Sequence, residues 1–132
     1  MEKVTGIGGF FFRSNKPDEL NAWYEKHLGI QEADNGYEKG SWWQDEGPTV
    51  FGAERPEVSF GRPEQTWRIN FRVSDLDAMV NQLREAGIAV EVEAKVYPNG
   101  RFAHLTDPEG NGIELWEPAG NDLTMVGHYL TG

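Results

Sequence analysis

Apolar and polar positions follow two schemes in succession, and the pair of schemes occurs twice. In "INFRVSDLDAMVNQLREAGI", Ile69 to Ile88, the residues Ile69, Phe71 and Val73 alternate with Asn70 and Arg72. That is the period-two signature of a strand with one buried face. Leu76, Met79, Val80 and Leu83 then recur at helical spacing. Ser74 or Asp75 is placed to cap this helix, because a side-chain oxygen accepts an N–H that the first turn leaves unpaired. Gly87 is placed to take the left-handed conformation that ends it. "FFFRSNKPDELNAWYEKHLGI", Phe10 to Ile30, repeats the scheme, with Pro17 at the helix entrance, Leu20, Trp23, Tyr24 and Leu28 on one stripe, and Gly29 at the exit. Phe12 matches Phe71, Arg13 matches Arg72 and Gly29 matches Gly87, an offset near half the chain, which reads as an internal duplication.

The remaining segments alternate as strands. In the second half they fall at about 89–94, 101–107 and 112–117, and in the first half at "YEKGSWWQ" and "TVFGAE", residues 37–44 and 49–54. Each half therefore reads β-α-β-β-β. The chain is expected to be one α+β domain over 1–132, with a first module at about 4–56, a second at about 66–118 and a tail at 119–132. Neither half can cover a sheet face alone, so the two modules should pack together, within one chain or between chains.

The stretch "HLTDPEGNGIELWEP", His104 to Pro118, fixes a hairpin. Pro108 presets the backbone for the first central turn position and Gly110 supplies a positive φ. Setting Thr106 opposite Gly112 pairs Leu105 with Ile113, His104 with Glu114, Ala103 with Leu115 and Phe102 with Trp116. Alternation then puts Ala103, Leu105, Ile113 and Leu115 on an apolar face under the helices. Phe102, His104, Glu114 and Trp116 share the other face. The strand of the second module adds Arg68, Asn70 and Arg72 to that face, and the first strand adds Gly9, Phe11 and Arg13. Trp42 and Trp43 cannot point the same way on a strand, so one of them packs; Trp42 is assigned to the cleft side.

Composition narrows the function. The 38% hydrophobic content supports a folded core rather than a disordered chain. The formal net charge of −10 argues against nucleic acid, whose phosphates call for clustered Lys and Arg. It suits a neutral or cationic small-molecule ligand, although solubility alone also accounts for it. The absence of cysteine excludes disulfides, thiolate metal sites and Cys nucleophiles, and suits a reducing cytoplasm. No apolar run approaches the ~18 residues of a membrane span, and "MEKVTGIGGFFF" reads as a first strand rather than a signal peptide. "GIGG", Gly6 to Gly9, has no preceding strand or directly following helix and is no phosphate loop. His27, at a helix C-terminus, suits the helix dipole.

"NAWYEKHLGI", "INFRVSDLDAMVNQLREAGI" and "FAHLTDPEGNGIELWEP" resemble the vicinal oxygen chelate superfamily of glyoxalases, bleomycin-resistance proteins and extradiol dioxygenases, over Val4 to Pro118. The resemblance implies paired βαβββ modules forming a cupped mixed sheet with helices on its convex face, a ligand cleft, and a homodimer. Metal-dependent members of that family place His, Glu or Gln ligands at up to four positions of the cleft face. Carried over, those positions fall near Gly9, near Phe51, on Arg68 and on Glu114. Only Glu114 is a ligand type; Gly and Phe offer no donor, and Arg keeps its proton. His104 would bring the set to two, short of the three a catalytic divalent metal normally has. Arg68 is then read as supplying the charge of the missing metal by pairing with Glu114.

Several functions compete on these residues. The favoured one is a metal-free protein of the bleomycin-resistance kind, binding a small cationic or aromatic molecule through Arg68, Asn70, His104, Glu114, Trp116, Phe11 and Trp42. The alternative is a divalent-metal-dependent lyase, isomerase or dioxygenase using Glu114 and His104. A third is a metal-free enzyme with His104 and Glu114 as its acid–base pair. The plainest readings make His104 and Glu114 a solvated cross-strand pair, Arg68 an exposed strand charge, Trp116 a packing residue, and the whole cleft vestigial.

Overall fold

The computed structural model describes residues 1–32 and 40–123. Helix α1 spans Pro17–Leu28 and is followed by β1 (Ile69–Arg72), α2 (Leu76–Glu85), β2 (Glu91–Val92), β3 (Gly100–Thr106) and β4 (Gly112–Pro118), and then by a single 3-10 turn, Gly120–Leu123. The four strands form one mixed sheet in the order β1-β4-β3-β2. β1 runs parallel to β4, and the other neighbours are antiparallel. No described helix is long and apolar enough to cross a membrane.

Local chemistry sets the helix ends. Pro17 opens α1, and Gly29 closes it at φ 72°, its N–H donating to the Glu25 carbonyl at 3.1 Å. Asp75 caps α2 by accepting from the Ala78 N–H at 3.0 Å. The next free donor of α2, the Leu76 N–H, is taken by Glu117 of β4 at 2.8 Å. A side chain of the sheet thus fixes where α2 starts.

Both helices cover one face of the sheet. Leu20 and Tyr24 from α1 and Leu76, Val80 and Leu83 from α2 pack on Ala103, Leu105, Ile113 and Leu115. The β3–β4 register is the one the sequence predicts, from Phe102 opposite Trp116 to Thr106 opposite Gly112. The turn between them is anchored from below. Asp107 is only 4% exposed, yet its carboxylate accepts from the Tyr24 hydroxyl at 2.7 Å and the Asn111 amide at 2.7 Å. It also accepts from the backbone N–H groups of Glu109 and Asn111 at 2.8 and 3.0 Å. Burial first, and then the hydrogen bond to Asp107, push the Tyr24 phenol above its ordinary value, so it remains a donor. On the outer side of the turn, the Glu109 carboxylate accepts from the Ser14 hydroxyl at 2.5 Å and from the Asn15 N–H at 3.0 Å.

The first half differs from expectation. It contributes α1, but 10–13 and 49–54 carry no strand, nor do 40–44; residues 37–39 of the second expected strand lie outside the described residues. A strand needs a hydrogen-bonding neighbour, and among the described residues β1 pairs only with β4, so these segments have no place in the sheet. Their apolar side chains are correspondingly uncovered: Phe11, Trp43 and Phe51 are each about 90% exposed. In the second half the expected strand at 89–94 shortens to two residues.

Candidate functional site

The register of the sheet assembles a polar row on the face opposite the helices. Asn70 is opposite Glu114, Glu114 opposite His104, and His104 opposite Glu91, one residue from each strand. These positions alternate with the core-facing Ile69, Ile113 and Leu105, so the alternation that builds the core also builds the row. Arg68 lies two residues before Asn70 and shares its side of the chain.

Glu114 is the hub. Its Oε1 accepts from the Asn70 amide at 2.7 Å, and its Oε2 lies 3.3 Å from Arg68 Nη2 and 3.6 Å from His104 Nε2. The Glu114 side chain is 12% exposed and that of Arg68 22%, so the pair is partly withdrawn from water and less screened than a surface pair. Arg68 is held from the other side by the Phe60 ring, 5.1 Å from the guanidinium, and by the Ser59 carbonyl, which accepts from Nη1 at 3.4 Å.

Glu93, just past β2, completes the cluster and was missed by the sequence reading. Its Oε2 lies 2.8 Å from His104 Nε2, and its Oε1 accepts from the Tyr97 hydroxyl at 3.0 Å. The hydrogen bond from His104 is the largest influence holding the Glu93 carboxyl below its ordinary value, against an opposing desolvation. The hydrogen bond that Tyr97 itself donates to Glu93 raises the Tyr97 phenol above its ordinary value. A signal was present in the sequence: Glu91 and Glu93 alternate with Val90 and Val92, which puts both acids on the side facing away from the helices.

A cleft of about 430 Å³ opens beside the cluster, lined among others by Ser59, Phe60, Arg68, Glu91, His104 and Thr106. Its Ser59–Gly61 wall comes from the linker between the two halves. That wall sits close because Gly112 has no side chain: a Cβ there would lie 2.0 Å from the Phe60 carbonyl oxygen.

Three expected site residues are not part of this cluster. Trp116 is 2% exposed, stacked beside Phe102 at 6.3 Å with nearly parallel rings, its indole N–H donating to the Asn99 carbonyl at 2.8 Å. As folded it packs rather than meets a ligand, because the 97–100 connection closes over it. Phe11 lines a separate hollow with Arg13, Arg62, Trp67 and Asn111. Trp42 is half-exposed and makes no hydrogen bond or ring contact with the described residues of the cluster.

Glu93, His104 and Glu114 each offer one donor atom, all within 4.8 Å of one another. A divalent cation there would share Glu114 with the fixed positive charge of Arg68, and both Glu114 oxygens are already engaged. The expected donor positions Gly9 and Phe51 supply no ligand atom. Glu93 brings the donors to three, the number a divalent metal normally takes, with the Arg68 guanidinium against Glu114 as a competing charge.

Residues 9–116 match the model of the Glyoxalase-like domain. The chain belongs to this family. The four-stranded mixed sheet with two helices on one face is consistent with a glyoxalase-like domain, whose fold is also that of TnmS3, an antibiotic binding protein from Streptomyces sp. CB03234. The two superpose with a TM-score of 0.60 at 23% identity, over 90% of this chain and 100% of the other. A glyoxylase/bleomycin resistance protein/dioxygenase domain from Frankia sp. EAN1pec superposes with a TM-score of 0.52 at 16% identity, over 88% and 99% of the two chains. In sequence this glyoxalase-like domain is 35% identical over 123 residues to the anthracycline biosynthesis protein DauV of Streptomyces sp. (strain C5), covering 87% of this chain. DnrV of Streptomyces peucetius, also an anthracycline biosynthesis protein, is 34% identical over 122 residues. The domain spans 44% of the length of each of these two relatives.

Proposed function

We propose that this glyoxalase-like domain is a binding protein of the bleomycin-resistance kind that takes a small, flat, aromatic or cationic molecule in the cleft beside Arg68, Asn70, His104 and Glu114, without a catalytic metal. The observation that carries the reading is the Arg68–Glu114 pair at 3.3 Å, which sets a permanent side-chain cation beside a carboxylate at a position where the resemblance to metal-dependent vicinal oxygen chelate proteins implies a metal ligand. Glu91, Glu93 and Glu114 bring carboxylates to this face beside Arg68 and Arg72, and the formal net charge of −10 favours cationic groups. Phe60 in the cleft wall offers an apolar contact for a flat ligand. The sequence relatives lend support, since anthracyclines are flat polycyclic aromatics and these relatives are named for anthracycline biosynthesis. The cysteine-free composition supports a reducing, cytoplasmic setting.

The same reading includes a homodimer. The outer edge of β1, unpaired among the described residues, and the uncovered Phe11, Trp43 and Phe51 would find strand and core partners in a second copy, completing two βαβββ modules around each cleft. Light scattering on the purified protein should give twice the chain mass.

The test is a tryptophan-fluorescence titration with a panel of planar aromatic cations, joined to elemental analysis of the same sample. Saturable quenching, lost in Arg68→Ala with Glu114→Ala, and no stoichiometric metal support the proposal. A stoichiometric divalent metal removed by Glu114→Ala would replace it with the metal-dependent lyase, isomerase or dioxygenase. Flat titrations across the panel would refute ligand binding here.

A further inference from the structure

We infer that Glu93 is a positioning residue that locks His104 as an Nε2–H imidazole, so that its Nδ1 accepts a hydrogen bond from a hydroxyl group of the ligand. The inference rests on the cleft being a ligand site, as proposed above, and adds the chemical group that the site reads.

The argument begins with what surrounds Nε2. Glu93 Oε2 lies 2.8 Å away and Glu114 Oε2 3.6 Å away. Carboxylate oxygens only accept. A lone pair on Nε2 would face two anions and make no bond, whereas an N–H there donates to Glu93 with Glu114 close behind. In a neutral imidazole the proton can sit on one nitrogen only, so the lone pair is left on Nδ1. A hydrogen bond to one ring nitrogen setting the state of the other is the same logic that orients metal-bound and catalytic histidines.

Among the described residues Nδ1 is unclaimed, and the polar contacts of His104 are through Nε2. No buried side-chain nitrogen or oxygen among the described residues lacks a partner. Nδ1 is therefore accessible to solvent, on a residue that lines the cleft. The Tyr97 hydroxyl, donating to the other oxygen of Glu93, turns the carboxylate so that Oε2 is presented to His104. Arg68, Asn70 and the Tyr97 hydroxyl bring hydrogen-bond donors to this face; a free imidazole nitrogen adds an acceptor. A phenol or alcohol satisfies it, and an ether or bare hydrocarbon does not.

The tautomer can be read directly by imidazole ¹⁵N NMR on the full chain at pH 9, where ordinary imidazoles are neutral. His104 should show a single Nε2–H form. Glu93→Ala should admit an Nδ1–H fraction, which a merely structural role for Glu93 would not produce. Ligand reading is tested with 2-naphthol and 2-methoxynaphthalene. The wild type should prefer the naphthol by about tenfold, the effect of one hydrogen bond that the ether cannot make. His104→Phe keeps the ring volume and should bring the ratio near one. An Nδ1–H imidazole in the wild type, or a tautomer unmoved by Glu93→Ala, overturns the inference whatever binds. Equal affinity for the two probes in the wild type overturns its ligand half. Absence of binding by both probes, with an Nε2–H imidazole, overturns that ligand half too and weakens the binding proposal itself, while the role of Glu93 stands.

Discussion

Replacing Asp107 by alanine removes one carboxylate and strands four donors. The Tyr24 hydroxyl, the Asn111 amide and the two backbone N–H groups of Glu109 and Asn111 all converge on it. Asp107, Asn111 and Tyr24 are all buried, which keeps water from taking over all four bonds. A hydrogen bond to a charged group contributes about 1.5–3 kcal/mol, but these four share one cavity and will not add fully. A buried donor left unsatisfied costs about 1–3 kcal/mol, and with partial relaxation of the four the expected loss is on the order of 3–5 kcal/mol. Asp107→Asn keeps an acceptor for the backbone N–H groups and turns a donor toward Tyr24, so it should cost less, on the order of 1–2 kcal/mol. Tyr24→Phe removes one bond to the carboxylate and should cost about 1.5–3 kcal/mol. The assay is urea unfolding followed by circular dichroism. At a slope of about 1–3 kcal/mol/M, the alanine variant should move the midpoint down by roughly 2 M. An alanine variant within 1 kcal/mol of the wild type would refute the claim that the turn is anchored to α1 through this carboxylate.

Three further outcomes follow from the site and its walls. Gly112→Ala should lower the melting temperature by several degrees and weaken binding in the cleft, since its methyl group would meet the Phe60 carbonyl at 2.0 Å and push the cleft wall outward; calorimetry that finds an unchanged transition would contradict that packing. Arg68→His removes the competing cation and adds a donor beside Glu114 and His104, so the variant should retain near-stoichiometric zinc by mass spectrometry while the wild type does not. The Glu93 carboxyl is held low by His104, so its contribution to stability is complete above the ordinary carboxylate range and is lost as pH falls through its lowered value. Side-chain carboxyl ¹³C titration should find its midpoint below that of an ordinary glutamate, and His104→Ala should restore the ordinary value.

The hairpin was legible because two local rules agree there: the Pro108–Gly110 turn sets the loop and alternation sets the faces, so the register and the proximity of His104 to Glu114 followed together. Arg68 reached Glu114 as expected, since alternation also fixes the face of β1. Other features had no local signal. The bond between Tyr24 and Asp107 joins positions 83 apart and depends on how α1 docks. Trp116 sits on the side that alternation assigns, but its burial comes from the 97–100 connection, which periodicity does not see. The strands of the first half were read from alternation alone, and alternation states only which face a strand would bury, not whether a neighbour is present to pair with it.

The parallel pairing of β1 with β4 has a bearing on how this protein can change. Asn70 and Glu114, and Ile69 and Ile113, are adjacent rungs of one ladder, the first facing away from the helices and the second facing the core. Substitutions at 68, 70, 104 and 114 therefore leave the packed apolar face untouched, and their effects on stability and on recognition should separate. A library confined to those four positions could explore new ligands at little cost in folding, which makes this face of the sheet an interchangeable part on a fixed frame.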